Sequence, residues 1–293
     1  MKRFIFKVFV FIIIFIGLFI LFNILFYLYN SNMENYYIVD KSKSILILGD
    51  SHTECAIDDS IVSKSVNLSK SADAYFYSFV KLRKFLKINS DIKTVILGIS
   101  EKSLYKKNLI YLQNKSNGYF RLMNLNDFRV LLEAGGIKAF INLAEASFHN
   151  LSRLLTIQES DYRDMRIGGY LYLKRDKLDE AIERYKKQNN FDRAYSENQV
   201  EYLLKIVDLC KKYKVKLILL NTPTYIYYKN ENDSYKLNKF IKSSIDDYVV
   251  YWDYSNYLLP DFCYGDFVHL NYKGAEIFSK KLNNDIKKYL NCN

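Results

Sequence analysis

Proline and glycine are scarce, at 2 and 10 of 293 residues. That excludes a collagen-like chain and a proline-rich scaffold. Cysteine is rarer than glycine. Its four positions, 55, 210, 263 and 292, exclude a disulfide-stapled miniprotein, and none forms a Cys-x-x-Cys pair, which argues against a structural zinc site. No segment repeats at a fixed period. Nor does the chain lack core material: 49% of its residues are apolar, which excludes a wholly disordered polypeptide. The length fits one domain, or two at most.

Acidic residues are outnumbered. There are 43 Lys and Arg against 32 Asp and Glu, a net charge of +11. The excess is mostly lysine, spread along helix faces and mixed with acids. A compact arginine-rich stripe would be needed for nucleic acid, so no nucleic-acid partner is implied. The balance fits a solvated surface with weak attraction to acidic glycans or lipid headgroups.

Charge is absent altogether from Val8 to Met33, and Val8–Leu28 is almost entirely Val, Ile, Leu and Phe, with Asn23 the one clearly polar side chain. About 20 such residues span a bilayer core as a helix. The run exceeds a signal-peptide apolar core of about 7–15 residues, and no Ala-x-Ala site follows. It reads as an uncleaved signal anchor, residues 1–30, of a single-pass protein. Lys2, Arg3 and Lys7 precede it, which puts the N-terminus in the cytoplasm and everything from about residue 30 onward outside. Tyr27, Tyr29, Tyr36 and Tyr37 suit the outer interface. Residues 31–43 read as a stalk.

Beyond the stalk, short apolar runs alternate with helical patterns. Ser44–Leu48, Ser65–Leu68, Lys93–Gly98, Val215–Leu220 and Tyr248–Trp252 read as buried strands. Tyr75–Leu86, Ser196–Tyr213, Ser234–Asp246 and Tyr272–Leu290 read as helices. The alternation predicts a doubly wound α/β domain over 44–293 with about five parallel strands. An insertion at about 102–195 interrupts it. Ile137, Phe140, Ile141, Ala144, Phe148, Leu151 and Leu155 follow helical spacing there, between Gly135-Gly136 and Gly168-Gly169. The insertion fits either a packed helical subdomain or a lid and partner surface.

Parallel sheets bind ligands at the carboxyl ends of their strands. The first strand is followed by Gly49-Asp50-Ser51-His52 and the third by Gly98-Ile99-Ser100-Glu101. Asp266-Phe267-Val268-His269 precedes the last helix. A serine hydroxyl needs a general base, and the base needs an orienting group. His269 suits the base, and a tight turn would bring the Asp266 carboxylate to its ring. A serine after a strand also serves as a helix N-cap, and Asp-x-x-His alone is a weak motif. It is the placement of both at strand ends that points to a nucleophile site. His52 reads as structural or exposed, with a place facing the pocket or the substrate as the alternative, and His149 reads as structural. Cys55 and Cys263 read as free buried thiols, with a disulfide as the alternative. Tyr225, Tyr227 and Tyr228 are weak candidates for the rim.

ILILGDSH resembles the first block of the SGNH/GDSL hydrolases, and DFVHLNYKG resembles their last. The resemblance covers roughly residues 44–101 and 196–290. It implies a flavodoxin-like three-layer α/β/α fold, Ser51 as nucleophile, His269 as base and Asp266 as orienting acid. It also implies an oxyanion hole from the Ser51 N–H, the Ser71 N–H and the Ser100 side chain. Ser71 and Ser100 depart from the family's Gly and Asn. Loss of one such donor costs about 2.7–4 kcal/mol in transition-state stabilisation. An anchor followed by such a domain is similar in layout to polysaccharide O-acetylation and D-alanyl transfer proteins. The expectation is thus an extracytoplasmic serine esterase or O-acyltransferase acting on an acyl ester or glycan, with a membrane acyltransferase as a candidate partner and with no cofactor or metal. The alternative is a catalytically weak scaffold.

Overall fold

The computed structural model describes residues 2–31, 34–105, 118–156, 167–175, 177–185, 195–225, 231–245 and 247–291. The chain forms two compact units, one of Met1–Ile38 with Tyr111–Asp164 and one of Val39–Ile110 with Met165–Asn293.

In the first unit, helix α1 runs over Lys2–Ser31 and a single 3-10 turn over Glu34–Tyr37. Among the described residues no helix is long and apolar enough to cross a membrane. The transmembrane helix expected over residues 1–30 is therefore not found among the described residues, although Lys2–Ser31 is helical.

The insertion does carry a helical segment, Leu125–Thr156, broken at Gly136 (φ 54°, ψ −134°). Four residues of its apolar stripe are exposed, and the side chains of Leu151 and Leu155 lie outside the described ones. Ile137 and Phe148 are 77% and 53% exposed, and Phe140 and Ile141 are exposed as well. Ala139, Ala146 and Ser147 are buried instead. The helical period was legible, but periodicity does not say which face the fold covers.

In the second unit, β1 (Ile45–Leu48), β2 (Ser65–Asn67), β3 (Thr94–Gly98), β4 (Lys216–Asn221) and β5 (Val249–Asp253) form one parallel sheet in the order β2-β1-β3-β4-β5. This is the doubly wound order with its switch point between β1 and β3. The helices, in chain order, are α2 (Ser51–Ala56), α3 (Tyr75–Ile88), α4 (Leu178–Tyr185), α5 (Glu197–Tyr213), α6 (Glu231–Ser244) and α7 (Tyr272–Asn291).

β1, β3 and β4 are largely apolar on both faces because helices cover both; β2 has Ser65 and Asn67 around a single Val, and the edge strand β5 is half-buried rather than buried as expected. Ile45, Ile47, Ile96, Ile218 and Leu220 share a core with Ala56 and Ile57 at the end of α2 and with Phe278, Leu282 and Ile286 of α7. The alternating residues Leu46, Leu48, Val95, Leu97, Leu217 and Leu219 are buried on the opposite face. There α3 and α5 lie against each other, with Phe76 edge-on to Tyr202 at 5.1 Å.

From Ile167 to Arg175 the chain runs without regular secondary structure past the loops at the sheet's carboxyl end. Gly169 N–H donates to the Ser69 carbonyl at 3.0 Å, Leu171 N–H to the Glu54 carbonyl at 2.8 Å, and Tyr272 N–H to the Leu173 carbonyl at 2.9 Å. One buried cation secures its start. Lys81 Nζ lies 2.7 Å from Asp73 and 3.2 Å from the Ile167 carbonyl, and it also donates to the Leu68 carbonyl. A charge with no exposed surface needs such a full set of partners.

Candidate active site

The end of β1 is shaped by two glycines. Gly49 has φ 148°, and a Cβ there would run into the Thr53 hydroxyl and come within 3.2 Å of Gly98. The chain then enters α2. Asp50 caps it, accepting the His52 N–H at 2.9 Å. Ser51 is thereby fixed as the first residue of the helix. No hydrogen bond from its N–H is found among the described residues, as expected for a first-turn donor.

The loop before α7 closes on itself. Gly265 N–H donates to the His269 carbonyl at 2.8 Å, and Tyr264 bridges Leu270. Asn271 locks the loop from below. Its amide donates to the Phe262 carbonyl at 2.7 Å, and its carbonyl oxygen accepts the N–H groups of Lys273 and Gly274.

These two pieces bring Ser51 and His269, 218 residues apart, to 2.8 Å between Oγ and Nε2. The other ring nitrogen, Nδ1, lies 2.9 Å from both carboxylate oxygens of Asp266. Oδ1 of Asp266 also accepts the N–H groups of Val268 and His269, each at 3.0 Å. The Arg175 guanidinium lies against Oδ2. Burial would raise the Asp266 carboxyl, but the hydrogen bond and charge of His269, the Val268 N–H and the Arg175 charge outweigh it and hold it at about 2. The chain thus has a hydroxyl, a base and an ionised acid in one hydrogen-bonded line.

The expected oxyanion donors fare differently. Ser71 donates both its N–H, at 2.6 Å, and its hydroxyl to Glu54 Oε2. Its N–H is therefore committed to a buried carboxylate and is not a free donor, which corrects the expectation. Asn67 beside it is structural, with its amide on the carbonyls of Thr53 and Ile57. Ser100 is buried and caps the 3-10 turn Glu101–Leu104: its Oγ accepts the Ser103 N–H at 3.2 Å, and its own N–H donates to Ser103 Oγ at 3.0 Å. Its hydroxyl hydrogen has no acceptor among the described residues.

His52 sits with its ring 5.7 Å from that of His269, edge-on. Its Nδ1 is buried with no hydrogen-bond partner among the described residues. Burial lowers its affinity for a proton, and the charges of His269 and Lys102 act in the same direction against the pull of Asp50. His149 lies on the exposed surface of the other unit. Cys55 and Cys263 are both free and buried, and burial pushes the Cys55 thiol up to about 12. Tyr225 is a core residue stacked on Phe267, while Tyr227 and Tyr228 lie outside the described residues. Among the described residues no group of three His, Cys, Asp or Glu side chains is placed to hold a metal.

Sequence reasoning missed Arg175 and Glu54. Arg175 lies 91 residues before Asp266, in no motif. Glu54 follows Ser51 by three positions on α2, and that spacing was its one available signal.

One family model matches residues 148–291, a span that includes Asp266 and His269 but not Ser51. No curated protein matches the chain. Among solved structures it is similar to a provisionally assigned platelet activating factor from Streptococcus pneumonia, with 12% identity over 89% of this chain and 90% of that one, at a TM-score of 0.43. It is similar to the same degree to a provisionally assigned acylhydrolase from Bacteroides fragilis, with 12% identity over 89% and 98% of the two chains and a TM-score of 0.43. Likenesses this distant carry no functional weight. The chemistry of the site is read from its own geometry.

Proposed function

We propose that the protein is a serine esterase or O-acyltransferase of the SGNH type that works through an acyl-serine intermediate. The observation that carries this reading is the line from Ser51 Oγ through His269 to Asp266, at 2.8 and 2.9 Å. His269 Nε2 takes the hydroxyl proton as Ser51 attacks the acyl carbonyl. Asp266 keeps the remaining ring proton on Nδ1 and stabilises the imidazolium. The tetrahedral oxyanion draws on the Ser51 N–H and the Ser100 hydroxyl, two donors rather than the expected three. The imidazolium then protonates the leaving alcohol. Water or an acceptor hydroxyl, deprotonated by His269, releases the acyl group.

The same reading makes α1 a signal anchor in a bacterial cell membrane, with the N-terminus in the cytoplasm and the sheet unit outside. Support comes from the uncharged run Val8–Met33, the preceding Lys2, Arg3 and Lys7, and the exposed apolar side chains of Phe4, Phe11 and Leu18. A cell-surface or exported polysaccharide is then the substrate class. The test is hydrolysis of a small acetyl ester by the purified protein, abolished in Ser51→Ala. Mass spectrometry of the surface glycan with and without the protein identifies the acyl group.

A second reading has a specific observation in its favour. With Ser71 tied to Glu54 the oxyanion hole is thin, and the exposed stripe of Ile137, Phe140, Ile141 and Phe148 suits docking to a membrane acyltransferase. A weakly catalytic scaffold would bind glycan or partner and leave the small ester intact.

A further inference from the structure

The proposed mechanism uses the side chains of Ser51, His269, Asp266 and Ser100 and leaves a further charged group, Arg175, pressed against Asp266. Arg175 reaches Asp266 from the segment 167–175, with 40% of its side chain still exposed. With it, the carboxylate accepts from four donors: two backbone N–H groups on Oδ1, the guanidinium on Oδ2, and His269 Nδ1 close to both oxygens. A carboxylate offers about four lone-pair sites, so the set is complete.

We propose that Arg175 is a positioning residue acting through Asp266. It shares the outer carboxylate oxygen with His269 and so keeps the imidazole unprotonated, and able to take the Ser51 proton, to lower pH than the Asp266–His269 pair alone would allow. The inference rests on the serine-base reading for its use of Ser51.

The sign follows from charge. A carboxylate beside an imidazole favours the imidazolium, and a cation on the far side of that carboxylate offsets the effect. Removing the cation leaves the carboxylate in place, because Oδ1 remains held by the N–H groups of Val268 and His269. The other titratable or charged groups around the pair are His52, Asp50, Cys55, Glu54 and Lys102. Burial keeps the Cys55 thiol uncharged and disfavours charge on His52. Of these, Cys55 also feels the Arg175 charge, but burial keeps its thiol uncharged with or without that cation.

The experiment compares the full-length chain with Arg175→Met and Arg175→Lys. Two quantities are followed against pH: the rate of fluorophosphonate labelling, and the Cε1–H NMR signal of His269. The chain has 3 histidines, so His52→Gln and His149→Gln assign the signals. Arg175→Met should move both midpoints up by about 0.5–1 pH unit, the order expected for loss of one partly solvated charge on the far side of the carboxylate. Arg175→Lys should restore most of the shift. A midpoint that stays or falls overturns the proposal, even if the rate drops at every pH, since that is what a merely structural role gives. The NMR titration needs no turnover. An upward shift there in a protein that never labels upholds the action of Arg175 on His269 and removes the nucleophile reading. Intact labelling with unmoved midpoints removes the role of Arg175 alone.

Discussion

Asp266→Asn probes the coupling between acid and base. In the native site Oδ1 takes two backbone N–H groups and Oδ2 faces Arg175. An asparagine carbonyl is drawn to the two N–H donors, and its NH2 group falls where Oδ2 was, 2.9 Å from His269 Nδ1. A donor at Nδ1 selects the tautomer whose proton sits on Nε2. That nitrogen can no longer accept a proton from Ser51. The expected loss is about 10³–10⁴ in kcat, or about 4–5.5 kcal/mol of barrier, with KM changed little. Stability should fall as well. Holding the carboxyl at about 2 rather than its ordinary 3.8 corresponds to about 2 kcal/mol favouring the ionised form. The folded value is the lower one, so this contribution is present above about pH 4 and is lost as pH falls toward about 2. The gap in denaturant stability between wild type and variant should therefore narrow over that window. Initial rates on p-nitrophenyl acetate and urea melts measure the two effects. A kcat within tenfold of wild type would refute the assignment of the tautomer to Asp266.

Ser100→Ala should lower kcat more than it changes KM, and should cost about 0.5–2 kcal/mol in stability through the lost cap. Ser100→Asn keeps a capping oxygen and adds a longer donor, so kcat should hold or rise. Stability loss alone in the alanine variant would remove Ser100 from the oxyanion hole. Gly49→Ala meets both a positive φ and the Thr53 hydroxyl, and should destabilise by about 2 kcal/mol or more in urea melts. Full stability in that variant would mean that the turn after β1 relaxes freely.

The sheet was legible chiefly because β1, β3 and β4 are short runs apolar on both faces, and four helices were legible because their apolar residues recur at helical spacing. Ser51, Asp266 and His269 could be picked out because each follows a strand or precedes a helix in a short motif, and the structure brings the three within hydrogen-bond distance. What the sequence withheld depends on long-range packing. Arg175 reaches Asp266 only because residues 167–175 run along the site loops, and no local pattern records that path. Ser71 looked available because spacing gives its place in the loop but not the Glu54 carboxylate that occupies it. The helix at 125–156 showed its period but not its buried face, since small residues such as Ala139 and Ala146 are what the fold covers.

Whether Ser51 is a nucleophile activated by His269 decides the proposed function. Reaction of the full-length protein with a fluorophosphonate, read by peptide mass spectrometry, tests that directly. Adduct is expected on Ser51, with none in Ser51→Ala, a severe loss in His269→Ala, and nearly normal labelling in His149→Ala. Labelling that rises with pH as the base loses its proton would carry the signature of a histidine base. A folded wild-type protein that never labels, or one that labels equally well without His269, would contradict the nucleophile assignment.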